Sequence, residues 1–266
     1  MPPAQIGVLP AIATTLRCIA HLVRGVRTIR REFGHASHAE RSGHITQWAQ
    51  EFLRIVRVDV RTFGSITTQG PLLVVANHIS WLDILVLLAV QPVCFVSKSE
   101  IKTWPLIGWL ATNVGTLYIE RASRRDALRV VHHIAEALQA QHAEAAQQII
   151  AVFPEGTTTD GSLVLPFHAN LIQSAISAHA AVQPVALRYA DPATGALSLA
   201  PAYVDDDTLM SSVWRVLRTP SVQAQLTFTP VQHAQGRERR AWAADIRQAV
   251  VQALPPADGT ANTTSA

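Results

Sequence analysis

The run Asn77-His78-Ile79-Ser80-Trp81-Leu82-Asp83 places an imidazole and a carboxylate five residues apart, directly after the apolar stretch Leu72–Ala76 and directly before Ile84–Leu88. A polar cluster between a buried strand and a buried helix is where α/β proteins carry active sites. Five residues of regular helix turn through roughly 500°, which leaves two side chains about 140° apart. His78 and Asp83 therefore meet only if His78 lies in the turn after the strand and Asp83 in the first turn of the helix. Ser80 with an acid three residues on fits that helix start, as a capping-box pattern. The plainer reading is that Asp83 only caps the helix and His78 is an ordinary turn residue.

Further polar groups stand at the ends of other apolar runs. Gly115-Thr116-Leu117-Tyr118-Ile119-Glu120-Arg121 is a strand ending in a guanidinium, and Phe153-Pro154-Glu155-Gly156-Thr157 ends a Val/Ile-rich strand in a turn that holds a carboxylate. Lys98 follows a third strand, and Pro184-Val185 opens a fourth. A serine hydrolase would also use a histidine and an acid, but the chain has no G-x-S-x-G elbow. A metal hydrolase built on His78, Asp83, His132 and His133 would lack the H-E-x-x-H or clustered spacing that metal sites show. No metal is expected.

Taken in order, Asn77–Asp83 (NHxxxxD), Gly115–Arg121 (GxxYIxR), Phe153–Thr157 (FPEGT) and the Pro184-Val185 strand resemble the glycerolipid acyltransferases related to 1-acylglycerol-3-phosphate acyltransferase. The resemblance implies transfer of a fatty acyl group from acyl-CoA or acyl carrier protein to the hydroxyl of a lysophospholipid. Its first candidate is 1-acyl-sn-glycerol-3-phosphate, giving phosphatidic acid, with lyso-ornithine lipid or another lysolipid as the alternative. His78 is then the general base and Asp83 the group that holds its tautomer. Arg121 grips the acceptor phosphate, Lys98 is a second cation near it, and Asn77, Glu155, Gly156 and Thr157 complete the substrate-binding set, unless Glu155 only fixes its turn through backbone amides. No cofactor is implied beyond the acyl donor. One departure bears on the acceptor: where many relatives carry FPEGTR, this chain has Thr158. A membrane-bound hydrolase or a lipid-binding protein without catalysis are the readings from other classes.

These residues must be positioned by a scaffold, and 266 residues suffice for one sizeable α/β domain. Apolar strands at 58–63, 72–76, 93–97, 116–119, 149–153, 182–189 and 225–229 alternate with helical stretches at 81–90, 105–111, 123–141, 169–178 and 237–254. The alternation predicts a mixed, largely parallel sheet flanked by helices. An amphipathic helix over 45–58 precedes them, with Trp48, Phe52, Leu53 and Val56 on one side. Residues 1–57 carry eight arginines against three glutamates, although the whole chain is only +3. Within this arm Ile6–Val26 is apolar but interrupted by Arg17, His21 and Arg24. It is therefore expected to lie at a membrane surface with its arginines toward anionic head groups rather than to span it. A basic-faced helix packed on the domain is the alternative. The expected layout is a membrane-contacting arm (1–43), an acyltransferase domain (44–254) and a disordered tail (255–266), peripheral or monotopic at the cytoplasmic face of the membrane. Nucleic acid is not an expected partner, since the arm has no interleaved stacking aromatics. Cys18 and Cys94 are far apart and predict no disulfide.

Overall fold

The computed structural model describes residues 5–68, 71–119, 124–140, 149–204 and 206–255. In chain order the elements are α1 (Val8–Glu32), α2 (His38–Ile55), β1 (Val58–Phe63), β2 (Leu72–Ala76), α3 (Leu82–Val90), β3 (Cys94–Lys98), α4 (Ser99–Lys102), α5 (Ile107–Asn113), β4 (Leu117–Ile119), α6 (Arg124–Gln139), β5 (Ile149–Val152), α7 (Ala169–Ser177), β6 (Ala181–Ala190), α8 (Leu209–Leu217), β7 (Val222–Phe228) and α9 (Arg239–Ala253). Arg121 and residues 256–266 lie outside the described residues.

β2 reads Leu-Leu-Val-Val-Ala and is buried along its whole length, as an apolar run without alternation demands of a central parallel strand. It pairs in parallel with β5 on one side and β6 on the other, and the strands of the described residues follow the order β1-β7-β6-β2-β5-β3-β4. Only the β6–β7 pairing is antiparallel, so the sheet is mixed and largely parallel. Successive side chains of β2 leave on opposite faces. Leu72, Val74 and Ala76 enter a core shared with Phe52, Leu53, Val86, Leu87 and Leu217. Leu73 and Val75 enter a second core with Ile134, Leu138, Ile172, Trp242 and Ile246. Helices thus cover both faces.

α2 begins well before the predicted start at Ile45, because Ser37 and Glu40 close a capping box: the Ser37 hydroxyl accepts from the Glu40 amide, and the Glu40 carboxylate accepts from the Ser37 amide at 2.7 Å. The expected division between residues 43 and 44 consequently falls inside a helix. Two short helices, α4 and α8, lie where the sequence predicts no element; the four residues of α4 hold too few turns to show a period.

α1 has two characters. Ala11, His21, Gly25 and Ile29 are buried; His21 Nε2 donates to the Trp48 carbonyl at 2.9 Å, Trp48 Nε1 returns a bond to the His21 carbonyl at 3.3 Å, and the two rings stack at 4.9 Å. The opposite face leaves Val8, Leu9, Ile12, Leu16, Ile19 and Val23 exposed. The helix is therefore packed on α2 and apolar on its outer side. No helix among the described residues is long and apolar enough to cross a membrane.

Candidate active site

Because β2 and β5 are parallel and in register, Val75 opposite Val152, the segments that follow them leave the sheet side by side. His78 emerges after β2 in the non-helical turn, and Asp83 sits in the first turn of α3. His78 Nδ1 and Asp83 Oδ2 are 2.7 Å apart. Asp83 is fully buried. Its Oδ2 also accepts the amides of Ile79 at 2.7 Å and Ser80 at 2.9 Å, and its Oδ1 accepts the Tyr189 hydroxyl at 2.7 Å. Four donors on one carboxylate offset the cost of burying its charge. An acceptor at Nδ1 would face a carboxylate lone pair, so the network assigns the ring proton to Nδ1 and leaves the Nε2 lone pair for chemistry.

Asp83 is thus both the capping acid and the partner of the imidazole. Ser80 shares in the cap through Leu82, whose amide donates to its hydroxyl at 3.2 Å. The two readings offered by the sequence are one arrangement, since the geometry that caps α3 also aims Asp83 at His78.

The imidazole is 21% exposed and held flat against the Phe153 ring, with centroids 4.0 Å apart and planes within 8°. Phe95 of β3 stacks behind Phe153 at 5.9 Å. The turn after β5 closes with the Gly156 amide on the Phe153 carbonyl at 3.2 Å. Gly156 takes φ 73° there, where a side chain would be strained. The Thr159 amide then donates to the His78 carbonyl at 2.9 Å, so the loop after β5 clasps the histidine from its backbone side.

Of the two roles open to Glu155, acceptor pocket or a turn braced through backbone amides, the contacts present are of the second kind. The residue is 4% exposed, with Oε1 accepting the His78 amide and Oε2 the Leu165 amide, each at 2.7 Å. Both oxygens are occupied by backbone, so Glu155 positions His78 from within. Burial pushes its carboxyl above the ordinary value, against the pull of the Leu165 and His78 amides. Asn77, also in the expected substrate-binding set, is buried, donates to the Leu187 carbonyl at 2.9 Å and accepts the Leu187 amide at 2.7 Å. Its amide pins the end of β2 to β6.

Thr157 is exposed and Gly156 partly so, at the same sheet edge as His78. Lys98 is exposed at the end of β3, the parallel neighbour of β5. The Thr158 hydroxyl donates to the Tyr203 carbonyl, which ties this side chain to a neighbouring loop. His132 and His133 point to solvent from α6. No group of three metal-ligating side chains gathers among the described residues.

Tyr189 is the member that the sequence reading missed. It is wholly buried, and that burial, with the adjacent Asp83 charge, holds its hydroxyl well above the ordinary phenol value. It therefore remains a donor. The signal available was a tyrosine inside the apolar run Val182–Tyr189, whose buried hydroxyl needs a partner.

The α/β scaffold thus presents, at its strand ends, a buried carboxylate bonded to an imidazole with one ring nitrogen free, an arrangement able to accept a proton. The family described as Acyltransferase matches residues 57–188. Over 207 residues, covering 78% of this chain and 76% of the relative, the sequence is 37% identical to a lyso-ornithine lipid O-acyltransferase of Pseudomonas aeruginosa. It is 42% identical over 168 residues to a 1-acyl-sn-glycerol-3-phosphate acyltransferase of Neisseria gonorrhoeae, spanning 63% of each protein. The crystal structure of the 1-acyl-sn-glycerophosphate acyltransferase of Thermotoga maritima shares the fold, with TM-score 0.65 over 92% of this chain and 95% of that one at 18% identity. The chain belongs to this acyltransferase family and is an acyl-transferring enzyme.

Proposed function

We propose that the chain is a lysolipid O-acyltransferase that uses acyl-CoA or acyl carrier protein as donor. The observation that carries the reading is the His78–Asp83 pair, with Nδ1 fixed on a four-donor carboxylate and Nε2 left available. In the proposed step, Nε2 takes the proton of the acceptor hydroxyl while its oxygen attacks the thioester carbonyl carbon. Asp83 stabilises the imidazolium so formed. Collapse of the tetrahedral intermediate breaks the carbon–sulfur bond, and Nε2 returns the proton to the departing thiolate. General-base help of this kind is worth about 10² to 10⁴ in rate.

For the acceptor, 1-acyl-sn-glycerol-3-phosphate is the first reading, supported by the Neisseria relative's 42% identity across the motif region. Lyso-ornithine lipid is the second, favoured by the longer match to the Pseudomonas relative and by Thr158 at the place of a second arginine. Arg121 and Lys98 are the proposed phosphate-binding cations. Attachment is proposed to be peripheral or monotopic at the cytoplasmic membrane face, through the exposed apolar side of α1. The deciding experiment is a panel of lysolipid acceptors with one acyl-CoA, reading free thiol and product mass. Thiol release that requires a lysolipid supports transfer. Equal release without one would make the protein a hydrolase, and none under any condition would remove the enzymatic reading.

A further inference from the structure

The chain between β3 and β4 forms a hairpin whose conformation is unusual. Leu106 takes φ 63° and ψ −52°, and the Ile107 amide donates to the Pro105 carbonyl at 2.7 Å, which is a γ-turn of the rare positive-φ kind. A leucine in that region is strained, and such outliers persist only where the surroundings impose them. The imposition is visible. α4 and α5 approach so closely that a Cβ on Gly108 would lie 2.2 Å from the Lys102 carbonyl oxygen and 2.6 Å from that of Ile101. Tyr118, the tyrosine of the GxxYIxR block, donates to the Gly108 carbonyl at 3.0 Å and meets the Thr112 hydroxyl at 3.1 Å. The motif tyrosine thereby fastens the hairpin to β4.

What this fastened turn displays is apolar. Trp104, Leu106, Ile107 and Trp109 are 38, 44, 41 and 37% exposed. Two cations stand beside them, with Glu100 as the one acidic residue of α4. Exposed Lys102 lies over the Tyr118 ring at 5.8 Å, and Arg30, from the last turn of α1, lies over the Trp109 ring at 5.7 Å. Tryptophans beside lysine and arginine suit the head-group boundary of a bilayer, where the ring is half in hydrocarbon and the cation meets phosphate. The Arg30–Trp109 contact also joins the hairpin to the helix whose other side carries an exposed apolar stripe.

We propose that the α4–α5 hairpin is a second lipid-contacting element: a rigid wedge that seats Trp104, Leu106 and Trp109 in an anionic bilayer surface next to the strand ends bearing His78. The proposal rests on the lysolipid reading for its expectation about activity, but the binding itself is testable without it. The hairpin follows β3 immediately, and β3 adjoins β5 on the edge where the clasp around His78 lies. Seating it would bring that edge to the depth at which a lysolipid presents its hydroxyl.

The test uses the full chain and vesicles of phosphatidylcholine with about one third phosphatidylglycerol, half of the preparations carrying brominated acyl chains. Bromine should quench the wild-type tryptophan emission more than that of Trp104→Phe/Trp109→Phe. The double variant Trp104→Ser/Trp109→Ser should show partition weakened by about fivefold or more, with unchanged melting temperature. If the lysolipid reading holds, its kcat/KM should fall for a long-chain acceptor in vesicles and hold for a short-chain acceptor dispersed as monomer. Equal quenching and equal partition of wild type and variants overturn the proposal. So does an equal loss on the monomeric acceptor, which would place the patch in the substrate site. A loss confined to reactions with acyl carrier protein would identify a protein-docking face and overturn it too. Absence of any acyl transfer would count against the function, while the quenching result would still stand or fall by itself.

Discussion

Replacing Tyr189 with phenylalanine removes one donor from Asp83 and nothing else. The hydroxyl reaches Asp83 Oδ1 at 2.7 Å in a fully buried setting, while Oδ2 keeps its bonds to His78, Ile79 and Ser80. A hydrogen bond to a charged group contributes about 1.5 to 3 kcal/mol, and a buried oxygen left unpaired costs about 1 to 3 kcal/mol. Melting should therefore drop by several degrees, at roughly 2 to 4 °C per kcal/mol for a chain of this size. The catalytic effect is distinct from that loss. With one donor gone, Oδ1 of Asp83 is unpaired and the carboxylate is held less firmly in the position that fixes His78 Nδ1. If about a third of the bond's worth, some 0.5 to 1 kcal/mol, is felt in how Nε2 is presented, kcat should fall by about two- to fivefold. KM for the acceptor should hold, because Tyr189 is buried behind Asp83. The assay is acyl transfer to the best acceptor at varied concentration, well below the melting temperature, beside a thermal melt. An unchanged kcat with a lowered melting point would show Tyr189 to be packing alone, and the reasoning would fail.

The remaining expectations concern other parts of the same structure. His78→Ala should lose at least about tenfold in kcat, equivalent to ~1.4 kcal/mol, with little change in melting; retention of more than a tenth of wild-type turnover contradicts the general-base role. Asp83→Ala should lose activity and also about 1 kcal/mol or more of stability, because its carboxylate caps α3; an unaltered melt would refute the shared role. Burial raises the folded-state pKa of Glu155, so this group's contribution to stability is fully present below its unfolded value and is lost as pH rises through the folded one. Glu155→Gln does not titrate and can accept only one of the two amides. It should be less stable by about 1 to 3 kcal/mol at acidic pH and lose less stability than wild type as pH rises; parallel denaturation curves across that window would refute the argument. Leu9 and Leu16 are 80 and 62% exposed on α1, and Leu9→Ser/Leu16→Ser should weaken flotation with anionic vesicles by about tenfold, whereas unchanged flotation would remove α1 from the lipid contact.

How much of this was readable in advance depended on sequence distance. β1 and β2 were predicted at their observed ends: β2 is a short apolar run bounded by a proline and an asparagine, and β1 alternates Val58 and Val60 with polar residues before Gly64. His78 and Asp83 were legible since five residues and a helix start suffice to fix their relation. The partners of Glu155 were not, for they stand ten residues away at Leu165 and 77 away at His78. The burial that makes it a brace comes from a loop that folds back only in three dimensions. Asn77 shows the same limit: its motif marked it for the substrate, and only the β2–β6 pairing reveals that Leu187, 110 residues on, takes both ends of its amide. Periodicity could say that Tyr189 lies in a buried strand. It could not say that the strand would lie two hydrogen bonds from the His78 imidazole.

The plate of Phe153 against His78 bears on kinetic order. With one ring face covered at 4.0 Å and Nδ1 bound to Asp83, the imidazole cannot turn over between half-reactions without breaking a charge-assisted bond and displacing its neighbour. In the proposed mechanism a single nitrogen then receives the proton from the hydroxyl and surrenders it to the thiolate. On that proposal the shuttle has no place to wait with one substrate gone, and the expected cycle holds donor and acceptor together in a ternary complex. Initial-velocity lines at varied donor and acceptor concentrations should accordingly intersect; parallel lines would point to an acylated protein in between.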